Sequence, residues 1–285
     1  MLQPDSLERC LEWASVHVRW GLYRSAVADY DRALRFDKQC DRAWFGKGSA
    51  LMALKHYAAA IDAFKAALTL DDTQAHWWHS RSQAEAACRR WEEALTSVRR
   101  AIDLFPDNPQ FWGHRAEVLS ALDCPEEARR SFRHAVTLKP DDVELLVSYG
   151  QLLDRLERYS EALEYYSRVT TLQPNLHCIW LAQAIVLLKL DRPQDALNCC
   201  DRAQLLAPRS PRVWLVRGDV LCHLQHYTDA MAAYRQVLKL PSPPPKGYRQ
   251  FYLAYCRCAF ERSVSRLKQV RHSRWFDWFV RSGGV

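Results

Sequence analysis

The sequence predicts an all-α solenoid in which one 34-residue helix-turn-helix repeat is written seven times. Two observations carry this prediction. Each repeat contains two groups of apolar positions spaced three and four residues apart, the periodicity of an amphipathic helix. One alanine also returns every 34 residues, at Ala26, Ala60, Ala94, Ala128, Ala162, Ala196 and Ala230.

The register of that alanine sets the repeat boundaries. After a lead-in over residues 1–6, the repeats are expected at 7–40, 41–74, 75–108, 109–142, 143–176, 177–210 and 211–244. Positions 4, 8 and 11 of each repeat form the apolar stripe of a first helix. Positions 20, 24 and 27 form the matching stripe of a second helix. Position 8 is always small and position 20 is always alanine, so the two helices can approach closely.

Local signals mark the ends of these helices. Pro-Asp-Asn-Pro at 106–109 and Pro-Asp-Asp at 140–142 end one helix and cap the next, because proline lacks a backbone donor and Asp or Asn accepts from free amides. Pro125 and Pro193 are expected in the first turn of a second helix, where those amides are unpaired in any case.

The pattern resembles the tetratricopeptide repeat family, which is identified by Trp, a small residue, Ala, an aromatic residue and Pro along 34 positions. The resemblance covers residues 7–244. Tryptophan occupies position 4 in Trp44, Trp78, Trp112, Trp180 and Trp214. The first repeat departs most, with Cys10 at position 4 and His17 at position 11. The resemblance implies a right-handed α-solenoid whose first helices line a concave, protein-binding face.

On that face, positions 2, 5, 9 and 12 are expected to form a groove. It is polar and histidine-rich in the early repeats and apolar in the sixth, which suits an amphipathic helix or an extended segment with one apolar anchor. The alternative is that the chain's own tail, or a neighbouring chain, fills the apolar part. The candidate contact residues are Arg42, Phe45, Ser49, His76, His79, Gln83, His114, Leu181 and Ile185.

Two other features of this region bear on function. His76 and His79 are one helical turn apart, and with His114 they could hold a metal ion, but no carboxylate or thiolate clearly completes the set. No metal and no cofactor is therefore expected. Trp77, which the repeat pattern does not require, is interpreted as a packing residue, with a binding hot spot as the alternative.

Several functions are disfavoured. Some relatives bind the acidic C-terminal tails of chaperones through lysines and asparagines on first helices. Here position 5 is never lysine and position 9 is never asparagine, so that partner is not expected. There is no HExxH, CxxC, GxSxG or phosphate-binding glycine loop, so an enzyme is not expected either.

Charge is concentrated at the C-terminal end. The chain carries a formal charge of +7, and residues 246–285 hold nine basic against two acidic side chains, so the repeats are neutral. Residues 245–285 are predicted to form a capping helix, over about 246–269, followed by a basic aromatic tail. Its last segment contains Arg274, Trp275, Trp278 and Phe279.

This tail has two interpretations. The aromatic residues complete the cap on the last repeat, or they anchor residues 271–285 at an anionic membrane surface. Nucleic acid is disfavoured, because the neutral repeats provide no continuous basic stripe.

The sequence thus predicts a non-catalytic scaffold that binds a protein partner in the groove. The alternative is a membrane-peripheral assembly or targeting factor that uses the tail. A signal peptide and a membrane-spanning run are not apparent, so a cytoplasmic location, with possible peripheral membrane attachment, is expected.

Overall fold

The structure, a computed structural model, describes residues 6–240. The predicted capping helix and the tail residues Arg274, Trp275, Trp278 and Phe279 lie outside this range. The described residues form fourteen helices and no strand, which confirms the predicted all-α class. The helices are α1 (Leu7–Arg19), α2 (Tyr23–Phe36), α3 (Asp41–Ala53), α4 (Tyr57–Leu70), α5 (Ala75–Ala87), α6 (Trp91–Leu104), α7 (Pro109–Ala121), α8 (Pro125–Leu138), α9 (Val143–Arg155), α10 (Tyr159–Leu172), α11 (His177–Lys189), α12 (Pro193–Leu206), α13 (Pro211–His223) and α14 (Tyr227–Lys239).

The described residues divide into two compact blocks at Leu145 and Leu146, called here the N-terminal block (residues 6–145) and the C-terminal block (residues 146–240). In the N-terminal block, α1 packs on α2, α3 on α4, α5 on α6 and α7 on α8. The odd-numbered helices α1, α3, α5 and α7 also contact one another in order. No two even-numbered helices make a comparable contact in the described part of this block. The odd-numbered helices are therefore its inner layer.

In several repeats the two helices approach closely where a small residue at position 8 lies opposite a ring at position 24, whereas the third and sixth repeats carry the smaller Val98 and Cys200 there. A Cβ atom placed on Gly48 would lie 2.6 Å from Cε1 of Phe64, and one on Gly150 would lie 2.6 Å from Cε1 of Tyr166. Both rings are buried. Glycine is thus required here by the close approach of the ring and not by the local backbone.

The tryptophans at position 4 join consecutive repeats. Each indole Nε1 donates a hydrogen bond of 2.7–2.9 Å to the backbone carbonyl six residues earlier, in the loop that ends the preceding repeat. Their acceptors are Lys38, Asp72, Pro106, Pro174 and Pro208. The sequence places these rings on the apolar stripe of the first helix; the structure shows them half-buried, with a specific polar contact.

The turn inside each repeat places position 15 in the left-handed region. Gly21 has a φ of 72°, and six residues other than glycine have φ between 55° and 62°. These six are Lys55, Arg89, Asp123, Glu157, Asp191 and Gln225. In all seven turns the next amide donates to the carbonyl at position 11, which is the main hydrogen bond of a Schellman helix end.

The capping signals read from the sequence are found at the starts of α7, α8, α9 and α12, whereas most of the other described helices begin without a side-chain cap. Pro125 and Pro193 are at the first positions of α8 and α12, as predicted. Asn108 Oδ1 accepts from the Gln110 amide at 2.9 Å, and Asp142 Oδ1 accepts from the Glu144 amide at 3.1 Å. These side chains satisfy amides that have no partner inside their helices.

Candidate functional site

The inner layer of the N-terminal block contains an open cleft of about 620 Å³ between α3 and α5. Its walls include four of the predicted groove residues, Arg42, Phe45, Ser49 and His76. The Arg42 and His76 side chains are exposed, while Phe45 and Ser49 are half-buried. The structure therefore brings these four residues together on one accessible surface.

An aromatic group forms one wall of the cleft. Phe45 stacks on Trp77 with ring centroids 5.2 Å apart and an interplanar angle of 15°. The His76 ring meets Phe45 edge-on at 5.4 Å, and Phe64 supports Phe45 from below at 5.6 Å. Trp77 is only 6% exposed, so it is a packing residue under the cleft, as favoured from the sequence. Phe45 is thus held in one orientation with part of its ring open to solvent.

The cleft lining includes three charged side chains, Asp41, Arg42 and Asp71. Arg42 makes no ion pair within residues 6–240. The Asp71 carboxylate already accepts from the Thr73 hydroxyl and amide and from the Gln74 side-chain amide, and these bonds lower the pKa of Asp71. Burial lowers the pKa of His76, which favours its neutral form. The cleft therefore offers an apolar aromatic wall beside one cation, Arg42, and two carboxylates, Asp41 and Asp71.

A second group of predicted residues lies one repeat further along. The rings of His79 and His114 are 5.2 Å apart, and His79 packs on Phe111 at 4.8 Å. The Ser82 hydroxyl donates to the Ala94 carbonyl at 2.7 Å, so His114 Nε2, at 3.0 Å, donates to Ser82 Oγ. Gln83, on α5 with His79, is exposed.

His79 is unusual in this group. Its Nε2 atom is buried and has no hydrogen-bond partner among the described residues. Burial, and next the nearby His114, lower the pKa of His79 to about 4. His79 is therefore a neutral residue between two repeats, and its buried nitrogen does not face the open groove. Within residues 6–240, no group of three or more His, Cys, Asp or Glu side chains could hold a metal ion.

Leu181 requires a correction. It was expected to contact a partner, but it is 1% exposed and lies in a core cluster with Val213 and Val216 of the following first helix. Other side chains at position 5 also pack on the following repeat: Phe45 packs on Trp77, and His79 packs on Phe111. The next repeat covers much of position 5, so positions 2 and 9 supply most of the free surface.

Ile185 has an intermediate position in the C-terminal block. It is half-buried and packs against the same cluster as Leu181. Part of this side chain remains accessible on α11. The predicted apolar region of the sixth repeat is therefore mostly core, with Ile185 at its margin.

Two buried acidic groups were missed from the sequence. Glu85, at position 11, is fully buried and accepts from Arg81 Nε at 2.8 Å and from the Ser97 hydroxyl at 2.6 Å. Asp29 is 5% exposed and lies 2.6 Å from His17 Nδ1. The signal was present in the repeat alignment, since His17 and Glu85 replace the leucine that position 11 carries in the other repeats.

Residues 271–285, proposed as a membrane or cap contact, lie outside the described range, and nothing in the structure bears on them. None of the described helices combines the length and the apolar character that crossing a bilayer requires. The membrane alternative therefore stays a prediction.

Solved structures with similar folds were found. A tetratricopeptide repeat protein from Parabacteroides merdae aligns with a TM-score of 0.64 and 12% identity, over 90% of this chain and 100% of that chain. Pseudomonas aeruginosa pilF aligns with a TM-score of 0.61 and 16% identity, over 73% and 94%. YrrB, described as a TPR protein with an unusual peptide-binding site, aligns with a TM-score of 0.54 and 20% identity, over 65% and 95%. At these identities the similarity shows the fold alone.

Family profiles give a more direct result. The profile described as tetratricopeptide repeat matches residues 11–75, 119–177 and 181–244. A profile described as protein prenyltransferase alpha subunit repeat matches residues 91–122. No curated protein sequence matches the chain. Proteins built from tetratricopeptide repeats bind protein partners, including peptides, and are generally non-catalytic scaffolds. Because the first profile covers more than half of the sequence, the chain belongs to the tetratricopeptide repeat family.

Proposed function

We propose that this protein is a scaffold that binds a peptide segment of a partner protein in the cleft between α3 and α5. The observation that carries the proposal is the open cleft lined by Arg42, Phe45, Ser49 and His76, with the aromatic wall fixed from behind by Trp77. A preformed apolar surface with few polar groups is the usual form of a binding site. YrrB, which shares the fold, is described as having a peptide-binding site.

The chemistry of the cleft favours a particular segment. An apolar or aromatic side chain would pack on Phe45, and an acceptor such as a carboxylate or a backbone carbonyl would approach Arg42. Burial favours the neutral form of His76, and the carboxylates of Asp41 and Asp71 line the cleft, so a polar uncharged segment is favoured over a strongly acidic one. The groove as a whole, including the exposed Gln83, fits an extended or helical peptide with one apolar anchor.

A peptide library displayed on phage and selected against the full chain tests this proposal. The selected peptides are expected to carry a recurrent aromatic or large aliphatic residue. Their affinity, measured by fluorescence anisotropy, should fall at least about tenfold in Ser49→Arg, which fills the cleft, and in His76→Glu. Ala59→Arg, an exposed residue on α4 away from the cleft, is the matched control and should bind normally.

Equal affinity for the wild-type chain and Ser49→Arg would place the peptide site elsewhere. Circular dichroism of each variant shows whether the helices remain intact, so that a loss of binding is not mistaken for a loss of structure.

A further inference from the structure

The face of α1 that carries positions 3 and 10, called here its outer face, differs from the same face of α3, α5 and α7. In α3, α5 and α7, positions 3 and 10 are buried against the second helix of the preceding repeat. These buried residues are Ala43, Ala50, Trp77, Ala84, Phe111 and Val118. In α1 the matching residues are Arg9, which is exposed, and Val16, which is half-buried. No helix within residues 6–240 covers this face.

Large apolar side chains stand on this uncovered face. Trp13 is 47% exposed and Trp20 is 69% exposed, and Leu22 follows at 48%. Position 7, held here by Trp13, is a cation in the next three repeats, and position 14, held here by Trp20, is a half-buried Leu or Cys elsewhere. The repeat pattern thus gives no reason for either indole. Exposed tryptophans grouped in one patch are typical of protein interfaces.

Charges along α1 indicate what would cover the patch. With 100° of rotation per residue, one narrow stripe of α1 contains Glu8, Glu12 and Arg19. The neighbouring stripe contains Val16 and Trp20. The first of these stripes is acidic at the start of the helix and basic at its end. None of these three side chains makes an ion pair among the described residues.

This pattern is complementary to itself. If two α1 helices meet antiparallel about a twofold axis, the charged flank of one faces the charged flank of the other. Each Arg19 then lies opposite Glu8 and Glu12 of the other copy, and the tryptophans of both copies meet beside them. A parallel pair would place the charges against the tryptophans. With the exposed Arg9 counted, this side of α1 carries two acidic and two basic side chains, which gives no net attraction to an anionic membrane.

We propose that two copies of this chain associate through the outer face of α1, antiparallel and about a twofold axis, with Trp13 and Trp20 at the centre. The interface lies on the side of α1 that carries Trp13 and Trp20, whereas the cleft reaches α1 only at Val18, on the opposite side of the helix. Association and peptide binding are therefore separate properties of the chain.

The mass of the full chain, measured by sedimentation equilibrium from about 1 to about 200 µM, tests the proposal. The wild-type chain is expected to shift from monomer towards dimer across this range. Trp20→Lys should raise the dissociation constant at least about thirtyfold, the effect of losing one central tryptophan. Leu205→Lys is the control, because Leu205 is 76% exposed on α12 and should leave the mass unchanged.

Charge reversal tests the orientation. Arg19→Glu should weaken the dimer, as should Glu8→Arg combined with Glu12→Arg, while the triple variant should restore it because the pairs are re-formed with opposite sign. A wild-type chain that stays monomeric, a dimer that Trp20→Lys does not weaken, or a triple variant without recovery would each overturn the proposal. Circular dichroism verifies that every variant is folded.

Discussion

The Arg81→Ala variant would leave the buried carboxylate of Glu85 without its cationic partner. The Glu85 side chain is fully buried, and its two oxygens accept from Arg81 Nε at 2.8 Å and from Ser97 Oγ at 2.6 Å. In Arg81→Ala the carboxylate keeps only the hydroxyl. Breaking a buried ion pair from one side costs about 3–5 kcal/mol, because a charge stays in the interior without compensation. Arg81 also lies over the Trp78 ring at 5.4 Å, a contact worth about 0.5–1 kcal/mol. We therefore expect a loss of about 4 kcal/mol in the free energy of unfolding.

Replacing Glu85, the other partner of this ion pair, should reduce the free energy of unfolding much less. Five other repeats carry leucine at position 11, in Leu51, Leu119, Leu153, Leu187 and Leu221. Glu85→Leu therefore places a residue that this fold accepts, and the 19% exposed Arg81 keeps access to water. Replacing a buried charge by a well-packed apolar residue is near neutral, so we expect a change within about 1 kcal/mol. The double variant should be close to Glu85→Leu alone, apart from the lost Trp78 contact, which gives a coupling energy of about 3–4 kcal/mol.

Urea unfolding provides the measurement, followed by circular dichroism and by tryptophan fluorescence. Both signals are needed, because stacked repeats can unfold in sections and a single free energy then has no clear meaning. The reasoning would be refuted if Arg81→Ala cost less than about 1 kcal/mol, or if Glu85→Leu were as costly as Arg81→Ala. Either result would mean that the carboxylate is hydrated and not held in a dry interior.

Three other predictions concern packing, pH and the tail. Gly48→Ala should destabilise by about 1–3 kcal/mol in urea unfolding despite the better helix propensity of alanine. Adding Phe64→Val should recover most of this loss, because the third repeat has the similarly sized pair Ser82 and Val98 at the same positions; a neutral single variant would contradict the packing argument. Because the pKa of His79 is about 4 when folded and about 6.5 when unfolded, the unfolded state binds more protons, and stability should fall as pH drops from about 6.5 to 4. His79→Phe should remove that part of the pH dependence, by up to about 3 kcal/mol; an unchanged pH profile would show that other groups cause it. If the tail is a membrane anchor, deletion of residues 271–285 should abolish flotation with anionic vesicles, and added salt should weaken flotation of the full chain; absence of flotation by the full chain would exclude the anchor.

The repeat period made the fold predictable. Ala26 and its six equivalents fix where two helices cross, and each repeat buries its apolar stripe only against neighbours, so the period implies stacked pairs. The turns show where this reasoning ends. Lys55, Asp123 and Gln225 adopt the same left-handed conformation as Gly21, although their side chains share no chemistry. The conformation is imposed by the helix end and by packing, and composition does not reveal it.

The groove was predictable in position but not in accessibility. Arg42, Ser49 and His76 follow from helical spacing, and they do line the cleft. Leu181 has the same spacing yet is buried, because the next repeat reaches over position 5. How far one helix covers another depends on the size of several side chains together, and a stripe drawn on a single helix contains no such information.

The bond from each position-4 tryptophan crosses a repeat boundary. Its donor belongs to one repeat, and its acceptor carbonyl belongs to the last residues of the repeat before, as with Trp44 and Lys38. A shortened protein that begins at Asp41 would start with an indole deprived of its acceptor, whereas one that begins at Asp37 would retain it. A segment taken from this chain should therefore begin a few residues before the 34-residue boundary, so that its first tryptophan keeps the carbonyl to which it donates.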